Sequence, residues 1–455
     1  MTSAPPPSQP VFDPNAGHQQ RPRLRQVRLF PAEVQGQQLM GIADARQVSE
    51  RAVVTSPAAQ FVLPLMDGQK GLDDIVRAVG KGLTREILEQ LVAQLDDAGL
   101  LEGPTFQAII DKMHADFDGA PNLPPGSTAA MADAMGAGHV GGQEQFDALG
   151  EDEKARVGAE RMRVIFDEWM ALALKDAEKP SFDALPRAIV APHLDYPRGW
   201  VNYGSAWGRM RVVDRPDRVV ILGTNHFGSG TGVTGCPKGY ESPLGVCGAD
   251  QQLIDSLSKN LGGAAAEQLF AHRFDHEREH SIELQIPWIQ HCLGADDGGT
   301  FPKVFGVLIH DPTRNNGESY DGLGLGMAPF IEAFSKTLAA LPGKTLLVSS
   351  ADLSHVGPTF GDQVALAGED PQVVEMRNNV FRHDHDMLNM LVERKPDEMI
   401  AAMSWQGNAT RWCSVGSLTA TMKLAGPEKV ELLNYSGAMD PEGTTMVTSA
   451  SMVMA

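Results

Sequence analysis

The sequence predicts an α/β protein with a largely parallel central sheet flanked by helices, and a small winged-helix-like α+β domain on its N-terminal side. Three observations carry this. From Arg187 onward the short runs AIVA, RVVILG, KVFGVLI and TLLVSS recur, each rich in Val, Ile and Leu. They are apolar throughout, as suits strands buried on both faces of a parallel sheet. Between them lie longer stretches at helical spacing, among them ADQQLIDSLSKNL, HSIELQIPWIQHCL, MAPFIEAFSKTLAAL and DHDMLNMLVERK. Upstream, two amphipathic helical patterns follow short strand-like runs and precede a short apolar one.

Taken in order, residues 1–22 are rich in Pro, Gln and Asn and are expected to be disordered. Residues 23–105 make the winged-helix-like domain. RLFPAEVQGQQLMGIAD reads as short strands with a turn, and Leu72, Ile75, Val76 and Val79 then recur at helical spacing. Thr84 is placed to cap the next helix, whose apolar face is Ile87, Leu88, Leu91, Val92 and Leu95. Gly99 stops it, and Leu100 and Leu101 make a short strand. Residues 106–180 are expected to be a linker and an amphipathic helix. The stretch 115–150 is rich in Gly, Ala and Pro, and the helix after it carries Val164, Ile165, Trp169, Leu172 and Leu174 on its apolar side and ends by Pro180. Residues 181–455 are the α/β domain.

Composition narrows the function. A formal net charge of −20 argues against nucleic-acid binding, which relies on basic surface. Lys and Arg do not cluster on the second N-terminal helix either, which speaks against DNA contact there. No apolar run has the ~18 residues of a membrane span, and the N-terminus lacks the pattern of a secretory signal. The expected location is the cytoplasm. Four cysteines in 455 residues make no disulfide framework and no CxxC pair.

The residues that carry chemistry sit just past the apolar runs, where ligands bind in open sheets of this class. His193 follows AIVAP, His226 follows RVVILGTN, and Asp352 and His355 follow TLLVSS. His193 reads as a metal ligand or as a residue tying down a loop. His226 lies among Gly223, Gly228 and Gly230, a permissive backbone around a ligand or catalytic group. Asp352 and His355 would share a face on a first helical turn, the carboxylate orienting the imidazole. His355 is then a third ligand or, the reading favoured here, a general base. Cys413 precedes a predicted helix and follows Arg411, and both influences would lower its thiol pKa and favour metal ligation. A small buried core cysteine is the alternative, and the expected role of Cys236, Cys247 and Cys292. His276 to His280 literally match HExxH, the metalloprotease pattern. Pro287 and the clustered charges fit better a loop entering a helix near Ser281, with His280 and Glu283 as supporting or substrate-binding residues. His310, His383 and His385 read as surface or loop residues.

The ordered segments APHLDYPRGWVNYGSAWG, RVVILGTNHF, YESPLGVCGAD, EHSIELQIPW, SSADLSH and RWCSVG resemble the Memo family. This is the B component of the AmmeMemoRadiSam system, similar to class III extradiol dioxygenases, and the resemblance covers about residues 187–455. It implies that His193, His226 and Cys413 fall on the family's metal site, that His355 falls on the dioxygenase base with Asp352 beside it, and that His280 matches the histidine of EHSIE. A cysteine where the dioxygenases have a glutamate makes the site softer, favouring copper or a redox-tuned iron, with zinc as a further candidate. LPLMDGQKGLDDIV followed by LTREILEQLVAQLDDAGLLE resembles peptide-binding winged-helix domains of the PqqD type. The function implied is a non-haem metal-dependent redox or dioxygenase-like enzyme acting on a small molecule or peptide. The alternative is a non-catalytic adaptor for a radical-SAM or other peptide-modification partner.

Overall fold

The computed structural model describes residues 10–80 and 82–455. The chain divides into two compact units between Ala120 and Pro121.

In the first unit a short helix, α1 (Gly17–Gln20), precedes the antiparallel strands β1 (Val27–Val34) and β2 (Gln37–Asp44), with β3 (Val53–Thr55) added to β2. Gln35 and Gly36 both have positive φ, as a two-residue turn matched to strand twist requires. Helices α2 (Leu72–Val79), α3 (Arg85–Asp97) and α4 (Pro104–Gly119) follow. The Thr84 hydroxyl accepts the N–H of Ile87 at 3.4 Å, the expected cap of α3. Leu72, Ile75, Leu88, Val92 and Leu95 share one core with Ile42, Leu100 and Leu101. Ile87, expected on that face, is exposed instead.

The disorder expected over 1–22 does not extend through residues 10–22; residues 1–9 lie outside the described residues. Gln19 is buried and donates to the Asp96 carboxylate at 2.6 Å. A polar segment that buries little apolar surface is thus held by hydrogen bonds that its composition does not announce.

The second unit opens with the strand β4 (Asn122–Leu123) and the helices α5 (Ser127–Val140), α6 (Gln143–Asp147) and α7 (Glu151–Ala173). The expected linker over 115–150 is therefore mostly helical. Alanine is the best helix former, and glycine here serves packing. A Cβ on Gly158 would lie 3.0 Å from the Ala132 carbonyl oxygen, so α5 and α7 approach closely at that point. The buried side of α7 is Val157, Met162, Phe166 and Met170, whereas Val164 and Leu172 are exposed.

Next come β5 (Ala188–Ala191), α8 (Tyr196–Trp207), β6 (Arg218–Thr224), β7 (Thr234–Gly235), β8 (Gly239–Ser242) and β9 (Gly245–Cys247). They are followed by α9 (Gln251–Leu261), α10 (Gly263–Ala271), α11 (His280–Glu283), α12 (Ile286–Leu293) and β10 (Lys303–Ile309). The chain ends with α13 (Met327–Ala340), β11 (Thr345–Ser350), β12 (Asp352–Val356), α14 (Pro371–Val392), α15 (Pro396–Trp405), α16 (Val415–Ala425), β13 (Val430–Met439) and β14 (Met446–Met454).

The main sheet has eight strands in the order β12-β14-β5-β11-β6-β10-β7, with β13 paired to β14. Its four central strands, β5, β11, β6 and β10, are the four apolar runs, and they pair in parallel. The flanking pairs are antiparallel, so the sheet is mixed, with a parallel centre. Val220, Leu222, Phe305 and Val307 point into one core with Leu253 of α9, Phe330 of α13, Met387 of α14 and Leu418 of α16. Alternation along the strand leaves Val219 and Ile221 for the other face. Aromatic packing joins α7, α8 and α12: Phe166 and Trp288 stack at 3.8 Å, and Tyr203 stacks on Trp288 at 5.4 Å. The described residues contain no helix long and apolar enough to cross a membrane.

Candidate metal centre

The parallel strands deliver the site. His193 lies two residues past β5, His226 two past β6, and Asp352 two past β11. Cys413 comes from the opposite direction, just before α16. That helix fits because residue 416 is glycine: a Cβ there would sit 2.3 Å from the His310 carbonyl oxygen at the end of β10. The Thr224 hydroxyl donates to the Cys413 carbonyl at 2.9 Å, tying the cysteine to the end of β6.

Nε2 of His193 lies 3.2 Å from Sγ of Cys413, although the residues are 220 apart in sequence. One donor atom each from His193, His226 and Cys413 falls within 4.8 Å of the others, a group able to hold a metal ion. His226, Glu279 and His280 form a second such group. Glu279 was not singled out from the sequence. It is buried, and its carboxylate accepts the His226 main-chain N–H at 2.8 Å and lies 3.0 Å from His226 Nδ1. That leaves His226 Nε2 for the thiol side, the arrangement in which a carboxylate orients a metal-binding imidazole. The donor set of two imidazoles and a thiol suits a borderline or soft metal ion.

The electrostatics are those of a buried cluster. Burial, with His226 and His280 adding to it, holds His193 neutral, its pKa well below the usual histidine range. Burial also opposes charge on His226, but Glu279 and the Cys413 thiol together hold its pKa well above that range. Glu279 is pushed up by burial, yet its interactions with His226 and His280 keep it ionised, well below the usual carboxylate range. The expected activation of Cys413 by Arg411 does not occur. Burial raises the thiol pKa, with His226 the largest opposing influence. Arg411 turns away, pairing with Asp362 and donating to the His355 carbonyl.

Asp352 and His355 occupy a strand, β12, and not a helical turn. A bulge between them places both opposite one face of β14, so both reach the same cavity, but the hydrogen bonds of the carboxylate do not go to the imidazole. The carboxylate accepts instead the N–H groups of His193 and Leu194 at 2.9 and 3.2 Å, fixing the loop after β5. Burial pushes its pKa up to about 7. Nδ1 of His355 lies 2.9 Å from the Leu353 carbonyl and donates to it, so Nε2 is free to accept. Burial lowers the pKa of His355 to about 4, so the ring is neutral at pH 7.

The remaining histidines separate clearly. His280 lies beside His226, ring centroids 4.9 Å apart. His276 is buried elsewhere, Nδ1 2.9 Å from the Tyr240 hydroxyl and Nε2 3.2 Å from the Thr234 carbonyl. Both its nitrogens are engaged, so the HExxH match is not a metal pair. Glu283 takes hydrogen bonds from the start of α5, which makes it a supporting residue. His310 follows β10 but is buried against the Gly317 carbonyl; His383 and His385 lie on α14, and His385 is exposed there, as the surface reading expects.

A cavity of about 340 Å³ opens onto His193, His226, His280, Asp352 and His355. Its apolar walls include Met131, Leu284 and Phe360.

Residues 166–453 match the family model for Memo-like proteins. The chain belongs to the Memo family. His193, His226, Glu279, His280, Asp352, His355 and Cys413 all lie within the matched region. Among its relatives, a MEMO1 family protein of Thermotoga maritima is 27% identical over 266 residues, 57% of this chain and 79% of the relative. One of Thermococcus kodakarensis is 28% identical over 299 residues, 63% of this chain and 94% of the relative. A MEMO1 family protein of Aquifex aeolicus is 23% identical over 445 residues, 94% of this chain and 98% of the relative. That relative therefore also spans the first unit and α5, which precede the matched Memo region.

Behind the Memo site lies a second residue that sequence reading missed. Asp384 of α14 is fully buried and accepts from the Ser354 and Thr448 hydroxyls, from Trp412 Nε1 at 2.8 Å and from the Tyr435 hydroxyl at 2.6 Å. Ser354 and Trp412 are the neighbours of His355 and Cys413, so one carboxylate links the two segments that supply them.

Proposed function

We propose that this Memo-family protein is a non-haem metal-dependent redox enzyme with iron or copper held by His193, His226 and Cys413. The observation that carries this is the convergence of these three donors within 4.8 Å, with His226 already oriented by Glu279. A bound ion of this kind supplies Lewis acidity and one-electron chemistry. The chain's own residues do the rest. His355 is neutral with Nε2 free, and takes a proton from a bound substrate. Asp352 holds the main chain of His193, and His280 lines the cavity beside His226. A cavity of about 340 Å³ is sized for a small organic molecule, at the lower end of ligand pockets. The thiol makes the centre softer than one built from two histidines and a carboxylate, which favours copper or a redox-tuned iron over ring-cleaving iron chemistry. Zinc bound by the same residues would instead support hydrolysis.

The test is elemental analysis, with spectroscopy, of anaerobically purified wild type and His226→Ala. Near-stoichiometric iron or copper in wild type and its loss in the variant support the reading. Equal and negligible metal in both refutes it.

A second reading is favoured by the first unit, which has its own core and precedes the matched Memo region, yet is spanned by the Aquifex aeolicus relative. Here the PqqD-like segment captures a peptide for a radical-SAM partner. Pull-down with residues 24–105 deleted discriminates: loss of partner capture, with function intact in His226→Ala, makes the protein an adaptor.

A further inference from the structure

Helix α5 precedes the matched Memo region, yet it contributes to the cavity. Ser127 at its first position and Met131 one turn later both line the cleft that opens onto His193 and His226. Residues spaced by four share a helix face, so this face of α5 is one wall of the cleft.

Two contacts fix that wall. The Glu283 carboxylate accepts the N–H groups of Gly126, Ser127 and Thr128 at 2.9, 3.2 and 2.8 Å, and the Thr128 hydroxyl at 2.7 Å. These are donors that a helix N-terminus leaves without intrahelical partners, and a carboxylate is well matched to them. Glu283 ends α11, the turn that begins at His280 and follows Glu279. The same short segment therefore orients His226, presents His280 and anchors α5. On the other side, α5 lies against α7 where Gly158 meets Ala132, a contact with little room for a Cβ.

We infer that Met131 is a specificity-determining residue that limits the size of what reaches the His193–His226–Cys413 centre, with Glu283 as the positioning residue that holds it there. The molecules admitted are small organic compounds with an apolar body, which Met131, Leu284 and Phe360 would contact. A peptide chain would be excluded. The inference rests on the reading of this cleft as the access to the centre, and its test is read without metal.

The thiol of Cys413 reports access, because Cys236, Cys247 and Cys292 are buried. Full-length protein, stripped of metal with a chelator, is alkylated in parallel with iodoacetamide and with a bulky pyrenyl maleimide, and labelling of Cys413 is followed by mass spectrometry. Met131→Ala is expected to speed the maleimide by about fivefold or more while iodoacetamide changes by less than about twofold, and Met131→Trp to slow the maleimide by a similar factor. Glu283→Ala, which frees α5, is expected to speed both reagents. A ratio of the two rates that is the same in wild type, Met131→Ala and Met131→Trp overturns the inference. Metal content, measured separately on untreated protein, should be unchanged in both Met131 variants. Absence of metal from every form counts against the metal reading alone, and an unchanged rate ratio counts against this one alone.

Discussion

Glu279 holds His226 by two bonds: one carboxylate oxygen lies 3.0 Å from Nδ1, and the other accepts the same residue's main-chain N–H at 2.8 Å. Ring direction and backbone position are thus set by one buried group. Glu279→Gln keeps the shape and removes the charge. Metal affinity is expected to fall by about 10–100-fold, the usual cost of losing such an orienting carboxylate. Competition against a chromophoric chelator measures it, and unchanged affinity would show that His226 is oriented by other means.

Gly416 is the point where α16 meets the end of β10. In Gly416→Ala the new Cβ would lie 2.3 Å from the His310 carbonyl oxygen, so the helix must shift and take Cys413 with it. Overpacking of this kind costs about 1–3 kcal/mol. Urea unfolding should show that loss together with reduced metal content, whereas loss of stability with full metal content would mean that the shift is absorbed elsewhere.

Asp384→Ala leaves Ser354, Trp412, Tyr435 and Thr448 without their shared acceptor. Several stranded buried donors cost about 3–5 kcal/mol in total. A loss of unfolding free energy smaller than about 1 kcal/mol, read from denaturant unfolding, would place the network outside the cooperative core.

His276 makes stability depend on pH. Burial lowers its folded-state pKa to about 4, against a usual value of 6.5. The unfolded chain therefore takes up this proton first as pH falls. The contribution is complete above about pH 6.5 and is lost progressively toward pH 4, amounting to about 2–3 kcal/mol. His276→Gln, which keeps a hydrogen-bonding side chain but does not titrate in this range, should show a flatter stability profile between pH 7 and pH 4.5. Parallel profiles for the two proteins would remove His276 from the account.

Much of the fold was legible because buried parallel strands must be apolar on both faces. AIVA, RVVILG, TLLVSS and KVFGVLI stand as β5, β6, β11 and β10 at the centre of the sheet. The antiparallel flanks were not legible: β14 is buried along its whole length, yet Thr448, Ser449 and Ser451 interrupt its apolar run. Asp352 and His355 were assigned to a helical turn because spacing by three suits one; pairing of β12 with β14 decided for a strand. Helix α5 was hidden by glycines that read as linker, although Gly136 and Gly158 lie where it packs closely on α6 and α7.

By itself the sequence determined which segments form the central strands, and hence that His193 and His226 emerge near one edge of the sheet. Residues just past parallel strands are aligned by the hydrogen-bond register, a local consequence of buried strand pairing. Only the tertiary structure decided that Glu279 orients His226, that Asp352 holds the backbone of His193, and that Asp384 ties the segments of His355 and Cys413 together. Each of these carboxylates acts on groups brought near it by folding and is buried there. Its role follows from desolvation and hydrogen bonding at that place, neither of which is written in the chain around it.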